Sequence, residues 1–374
     1  MADIDVFEFP TDKNSISIYI HIPFCERKCS YCAFVSFCLS KIDREKYIQA
    51  LLEEIESFST VKSVKTIYLG GGTPSLLTKE EIFSIFRKLR EKFDIDENAE
   101  ITIEVNPNSV EEDKLRAYNE VGVNRISVGV QSLSNKSLKS IGRLHTKKEA
   151  IEKLKLIGKY FDNISADLII GLSGEKSVTK YAKNLIKLNI KHLSSYMLEV
   201  HENTKLYFEV RDKKYCPLDE IGVTKSYDKL VKFLKKHGFV QYEVSNFALA
   251  GYESKHNLNY WSYGEYVGFG VSSHSFLNGK RIANPITLQG YYKHERKEEK
   301  ITKSMEIEER IMLGLRCYLG VDISILQKLG YDIQKSESYR KFLKEGEIVE
   351  DDGKFYLLPK YYKFADYYIL NLLP

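Results

Sequence analysis

The chain has little net charge for its 374 residues, only +4. No strongly basic face is therefore expected, and nothing electrostatic argues for nucleic acid as a partner. The run "KHERKEEK" (293–300) mixes both signs and reads as a solvated surface turn. No apolar stretch approaches the roughly 18–20 residues of a membrane-spanning helix. The opening "MADIDVFEFPTDKNS" is acidic and lacks the basic and apolar regions of a secretory signal. Together these absences predict a cytoplasmic protein, where six cysteines read more readily as thiols or metal ligands than as a disulfide framework. Internal repeats and low-complexity linkers are also missing. What is present, 43% hydrophobic and 29% charged residues, belongs to a folded globular chain of one large or two ordinary domains.

The first 200 residues alternate in pattern. Short β-branched runs at 16–22, 65–70, 100–105, 124–130, 164–171 and 191–198 read as strands, with helical spacing between them, as in 43–58 and 79–93. Such alternation predicts an α/β fold with a parallel sheet of βα units. Six units fit a doubly wound sheet or an incomplete (β/α)6 barrel. Ligand-capable residues gather at the strand C-terminal ends, Gly70 to Thr73, Glu104, Gln131 and Asp167, and this favours the barrel, whose strand ends share one mouth. The pattern changes near residue 215, so the expected division is 1–215 for the barrel and 216–374 for a smaller, mainly helical domain. That domain closes on "EGEIVEDDGKFYLLP", a hairpin signal with an Asp-Gly turn, and resembles a winged helix.

Directly after the first strand, "IYIHIPFCERKCSYCAF" places Cys25, Cys29 and Cys32 as C-x3-C-x2-C. Structural zinc takes four closed ligands; Cys38 or His21 would have to supply the fourth, at no familiar spacing. Inert buried thiols are the other alternative. Three thiolates around a 4Fe-4S cluster make better physical sense, because one iron is left open to chelate an amino and a carboxylate group, such as S-adenosylmethionine offers. "GGGTP" (70–74) lets backbone approach a bound amino acid closely. Glu104 can bind an ammonium, Gln131 and Asp167 ribose hydroxyls, and Arg143 a carboxylate. Each alone is commonly a satisfied polar residue or surface charge; their joint placement at strand ends carries the reading.

The motifs "YIHIPF", C-x3-C-x2-C, "GGGTP", "EVNP", "NRISVGVQS", "IGRLH" and "ADLIIGL", running from about residue 16 to 290, resemble the radical S-adenosylmethionine (radical SAM) superfamily, and within it the coproporphyrinogen III oxidase-like branch. The resemblance implies a partial (β/α)6 TIM-like barrel with a 4Fe-4S cluster on Cys25, Cys29 and Cys32. It implies S-adenosylmethionine contacts from Tyr19, Tyr31, Gly71, Gly72, Thr73, Glu104, Gln131, Arg143 and Asp167. One departure is Ser173 in "GLSGE", where such sequences usually carry proline.

That branch contains both an enzyme and a carrier. The oxygen-independent coproporphyrinogen III dehydrogenase, which oxidatively decarboxylates two propionates, typically has a further cysteine two residues after the third and a long covering N-terminal extension. Here that position is Phe34, and about fifteen residues precede the first strand. Heme chaperones of the branch typically carry phenylalanine there and an H-N-x-x-Y-W motif, which this chain has as "HNLNYW" (256–261) with its only tryptophan. The reading is therefore a heme chaperone in preference to the dehydrogenase or a radical enzyme on another substrate. A neutral imidazole is a common heme ligand, so His256 is the expected heme contact on an accessible loop, beside Tyr260 and Trp261. His274 and the Cys216-Pro217 pair are alternatives, while a histidine among aromatics is in general most often a core or anchoring residue. The implied partners are heme and heme-accepting respiratory proteins at the membrane. A homodimer is compatible with the sequence.

Overall fold

A computed structural model describes residues 14–175 and 177–374 of the chain; the acidic opening segment, apart from its last two residues, lies outside them. Six parallel strands form the centre of the molecule: β1 (Ser15–Ile22), β2 (Ser63–Gly71), β3 (Ile95–Val105), β4 (Arg125–Gln131), β5 (Asn163–Ile170) and β6 (His192–Met197). They lie side by side in chain order. A doubly wound sheet would reverse direction at a switch point; the unreversed order is the winding of a barrel. All five connections between them are crossovers with helices, among them α1 (Arg44–Ser57), α2 (Lys79–Lys92), α3 (Glu112–Glu120), α4 (Lys147–Ile157) and α5 (Val178–Ile186).

Strand and helix types follow from the side-chain periods. Along α2, Ile82, Ile85, Phe86 and Leu89 share one buried face, each contributing about 1.5–3 kcal/mol of burial. A capping box at Thr78 and Glu81 starts the helix, and the same device at Thr146 and Glu149 starts α4. In the strands the period is two. Ile18, Ile20, Ile67, Leu69, Ile103, Ile126, Val128, Ala166 and Leu168 are buried in the core beneath the helices. The alternate positions are polar: Ser17, Tyr19 and His21 on β1, Thr66 and Tyr68 on β2, Glu100, Thr102 and Glu104 on β3, Arg125 and Ser127 on β4, Ser165 and Asp167 on β5, His192, Ser194 and Tyr196 on β6. These face the barrel lumen.

Beyond the barrel the chain extends the sheet at both edges. β7 (Asn246–Ala248) pairs antiparallel with β6, and β8 (Tyr266–Phe269) parallel with β1. β9 (His274–Leu277), β10 (Lys280–Ala283) and β11 (Lys297–Lys300) continue outward from β8. "KHERKEEK" thus ends in an exposed edge strand, not only a turn. Two further helices matter for the site, α6 (Lys205–Arg211) and α7 (Glu220–Lys235). Tyr227, Leu230, Leu234, Phe247, Val267, Phe269 and Tyr291 all pack into the barrel's core, whereas a second core begins at Ile307 and runs to Leu372. The cores therefore divide near residue 300, later than the 215 suggested by the change of pattern, because the sheet extensions share the barrel's apolar layer. The second unit has short helices followed by the expected hairpin, Ile348–Asp351 with Lys354–Leu357. Its Asp352-Gly353 turn has positive φ at both residues, 45° and 72°, as a two-residue hairpin connection requires. No helix among the described residues is long and apolar enough to cross a membrane.

Candidate functional site

The three-cysteine loop leaves β1 at the mouth of the barrel and is held from three sides. Phe37 N donates to the Pro23 carbonyl at 2.7 Å, closing the loop at its base. Ser30 N donates to Ile141 O (3.1 Å), and Leu206 N at the start of α6 donates to Ser30 O (2.8 Å). Arg27 donates to Gly142 O at 2.7 Å. Within the loop Cys32 N donates to Cys29 O at 3.2 Å, a turn that brings the last two thiols together. Burial raises the Cys25 thiol pKa, with further upward pressure from Cys29 and Cys38, while Ser36 and Thr73 lower it. Burial likewise raises Cys32. Cys38 lies opposite Cys25 in a short parallel bridge, and Cys317 is wholly buried in the core.

Around the loop, the predicted cofactor residues converge. Arg143 donates to Cys29 Sγ (3.7 Å), Asn106 Oδ1 (2.6 Å) and Gly129 O (2.5 Å). Asn106 Nδ2 in turn donates to Thr73 Oγ1 at 2.9 Å, whose hydroxyl stands 3.8 Å from Cys25 Sγ. Asn106, inside the "EVNP" motif, is thus a bridging residue that the reading of single positions missed. A Cβ on Gly129 would fall 3.0 Å from Asn106 Oδ1, 3.1 Å from Gln131 Nε2 and 3.2 Å from Arg143 Nη2; three polar groups close on that glycine. Gly71 has φ +113° and would clash with the His21 ring if it carried a side chain, and Gly72 would clash with the Phe24 carbonyl. Gln131, at the end of β4, sits in the left-handed region at φ 63°, a strained placement of the kind that marks functional sites.

Glu104 accepts from Tyr68 Oη (2.8 Å) and from Gly71 N (3.2 Å). Burial pushes its pKa up to about 7; the Tyr68 bond and Arg125 resist and nearby Asp167 adds to the rise. Burial also pushes Asp167 up to about 6, against the pull of Ser194, Arg125, Ser127 and Arg143. Tyr31 stands among Arg143, Cys29, Cys32 and Asp167, and Tyr19 Oη lies 3.0 Å from His21 Nδ1. Where sequences of this type usually have proline, Ser173 N donates to Tyr215 Oη at 2.9 Å, a bond that proline could not make. A small open cleft lies beside the loop, lined by Cys29, Thr73, Asn106, Asn108, Arg143 and Leu144 among others. Three mutually influencing thiols, an arginine beside one of them and a glycine cradle with a carboxylate at its edge fit a cluster and an amino-acid-bearing cofactor. No group of three or more His, Cys, Asp or Glu side chains among the described residues is arranged for a single metal ion.

"HNLNYW" corrects the expectation of an accessible loop. Residues Lys255–Trp261 form a helix, α8, whose first amides donate to the Glu100 carboxylate from Lys255 and His256, both at 3.1 Å. His256 is 1% exposed. Thr66 spends its proton on Ser17 (2.7 Å), so His256 Nδ1 donates to Thr66 Oγ1 at 2.7 Å, and Nε2 accepts from Tyr260 Oη at 2.8 Å. Its ring stacks on Tyr68 with centroids 5.1 Å apart, and burial pushes its pKa down to about 3. Thr66 and its partner Ser17 lie toward the starts of their strands, so α8 closes the barrel at the end opposite the cysteine loop. Both imidazole nitrogens are engaged, and neither can face an iron in this arrangement.

At the mouth the picture reverses. Phe34 is 70% exposed and Ile221 66%, and Leu144, Tyr196 and Leu218 are exposed as well. Tyr196 lies near the C-terminal end of β6 and the others follow the C-terminal ends of barrel strands; Leu218 N donates to Gly171 O just beyond β5. Cys216, two residues earlier, is exposed. His274 is exposed at the start of β9, in the sheet extension.

The radical SAM superfamily profile matches residues 19–179. Among curated relatives, the heme chaperone HemW of Lactococcus lactis is 32% identical over 94% of this chain and 95% of its own length. That of Bacillus subtilis is 36% identical, covering 82% of this chain and 84% of the relative. The solved structure of the Escherichia coli coproporphyrinogen III oxidase HemN, a radical SAM enzyme, superposes with a TM-score of 0.81 at 22% identity, covering 96% of this chain and 90% of that one.

Proposed function

Since the chain belongs to the radical SAM superfamily and, within it, to the HemW family of heme chaperones, we propose that it binds heme at the barrel mouth and passes it to an acceptor protein. The observation carrying the proposal is the rim of exposed apolar side chains, Phe34, Leu144, Tyr196, Leu218 and Ile221, above a polar lumen. A porphyrin face needs flat apolar surface, and a carrier needs an opening through which heme can leave. Phe34 puts such a side chain where the dehydrogenase typically has a further cysteine.

Cys25, Cys29 and Cys32 would hold a 4Fe-4S cluster, and Glu104, Gln131, Arg143, Asp167 and the Gly71–Thr73 turn would hold S-adenosylmethionine. Bound there, the cluster supplies one iron able to chelate the methionyl end. The chain's own contribution is positional. Arg143 fixes Cys29 and Asn106 relative to each other, and Glu104, when ionised, offers a carboxylate that accepts a hydrogen bond from the cofactor's amino group. For the heme iron, Cys216 at the mouth is better placed than His256 in the barrel floor, with His274 as the exposed imidazole. Acceptors are heme-requiring respiratory proteins at the membrane, met from the cytoplasm, and pairing of two copies is compatible with this role.

The test is anaerobic reconstitution, then heme titration and a coproporphyrinogen III turnover assay on one sample. Heme binding with a Soret band, and no protoporphyrinogen formed, is expected; turnover would move the assignment to the dehydrogenase. Cys216→Ala is expected to shift the Soret band. An unchanged spectrum there, with a changed one in His274→Ala, would place the ligand on β9.

A further inference from the structure

Arg125 is the largest of the fully buried side chains, 2% exposed, at the first residue of β4. Its Nε has no hydrogen-bond partner, and its guanidinium makes no ion pair with any described residue. Directly across the β3–β4 ladder lies Thr102, likewise buried, whose Oγ1 is also without a partner. Both side chains are on the lumen face, since Ile103 and Ile126, the next residue of each strand, are in the helix-covered core. Arginine cannot shed its proton to escape burial. An unpaired buried charge costs several kcal/mol, so a guanidinium kept in this position with no carboxylate bonded to it is explained by an anion that comes and goes. Glu104 and Asp167 lie within range of its charge without bonding to it.

We propose that Arg125 is a carboxylate-binding residue of the lumen wall, taking through its planar fork, with the Thr102 hydroxyl beside it, a carboxylate group of a ligand entered from the mouth. Guanidinium and carboxylate match in geometry and can form two parallel bonds. Two ligands of the proposed function carry that group: the heme propionates, at one edge of an otherwise apolar disc, and the amino-acid end of S-adenosylmethionine. The heme source is preferred. An apolar rim above a buried cation is complementary to a ligand with an apolar body and an anionic edge, and Arg143 already stands beside the cysteine loop for the other carboxylate. The heme assignment rests on the chaperone reading; the carboxylate site does not.

The experiment uses the reconstituted full chain, native and as Arg125→Met and Arg125→Lys. Four ligands are titrated anaerobically: heme, heme dimethyl ester, S-adenosylmethionine and its decarboxylated form. Arg125→Met is expected to raise the heme Kd about tenfold or more and to leave the dimethyl ester's Kd unchanged, with Arg125→Lys between. The ligand-free thermal midpoint of Arg125→Met should equal or exceed the native one, because an apolar chain of similar volume replaces an unpaired charge. Loss of S-adenosylmethionine affinity, absent for its decarboxylated form and with heme unaffected, would establish the site with the other source. Unchanged affinity for both carboxylate ligands overturns the proposal, and a lowered midpoint alongside it identifies Arg125 as structural. If the native protein binds no heme at all, the chaperone reading fails while the S-adenosylmethionine arm still decides Arg125.

Discussion

Near pH 7 the Glu104 carboxyl is about half protonated, since burial pushes its pKa to about 7 from 4.5. The ionised carboxylate is the stronger acceptor for the cofactor's amino N–H, so S-adenosylmethionine is expected to bind more tightly as pH rises from 6 to 8, by up to about tenfold per unit below the pKa. Glu104→Gln should bind weakly with no such slope; isothermal titration at several pH values checks this. For stability the sign is opposite. Between pH 4.5 and 7 the folded chain keeps a proton that the unfolded chain has released, so this group's contribution is present at low pH and lost as pH rises through the window. At the same scale, alanine at Cys25, Cys29 or Cys32 should remove most cluster iron, whereas Cys38→Ala, Cys216→Ala and Cys317→Ala should retain it; iron and sulfide analysis after reconstitution distinguishes them. Asp167→Ala is expected to weaken S-adenosylmethionine binding by about 1–3 kcal/mol with the cluster intact.

Among the elements, α8 has a structural duty that its motif hides. It caps the barrel floor through Glu100 of β3 and joins two further strands, β1 and β2, through His256, Thr66, Ser17 and Tyr68. His256→Ala strands the Tyr260 hydroxyl and takes a donor from Thr66, and the expected cost is about 2–4 kcal/mol, read by denaturant unfolding. Cluster iron and the heme spectrum should stay as in the native protein. A vanished Soret band at undiminished stability would return His256 to the heme site. Because Tyr68 stacks on His256 and also donates to Glu104, floor and mouth share one side chain, and the variant's S-adenosylmethionine affinity measures how far that link matters.

For the whole molecule, Glu54 of α1 is the tie between the barrel and its extension. Only 3% exposed, it accepts from Gly270 N (2.8 Å), Asn284 Nδ2 (2.7 Å), Tyr291 Oη (2.7 Å) and Arg296 (2.7 Å). These donors are more than 200 residues away in sequence, so the tie closes a long loop and holds β8 against β1. Glu54→Ala leaves four donors around an empty site and is expected to lower stability by about 3–5 kcal/mol. Chemical denaturation measures this, and early release of the 270–296 segment should appear as fast hydrogen exchange there.

Local rules in the sequence determined the six strands and their helices, since periods of two and 3.6 and the capping residues act over a few neighbours. They also determined the terminal hairpin, whose Asp352-Gly353 turn is a chemical requirement of that connection. The gathering of Thr73, Glu104, Gln131, Arg143 and Asp167 near the cysteine loop was legible because parallel βα units bring all strand C-terminal ends to one side. The same alternation of polar residues that marks the lumen was in the strands, but only the register sets Arg125 across from Thr102 and leaves its Nε without a partner. Only the tertiary structure decided the place of His256. "HNLNYW" says that an imidazole sits among aromatics; whether that group meets solvent or a barrel floor depends on Thr66 and Glu100, over 150 residues away. The division of the cores near residue 300 was likewise set by packing of the sheet extensions onto β1 and β6, a long-range burial that a change of local pattern at 215 does not encode.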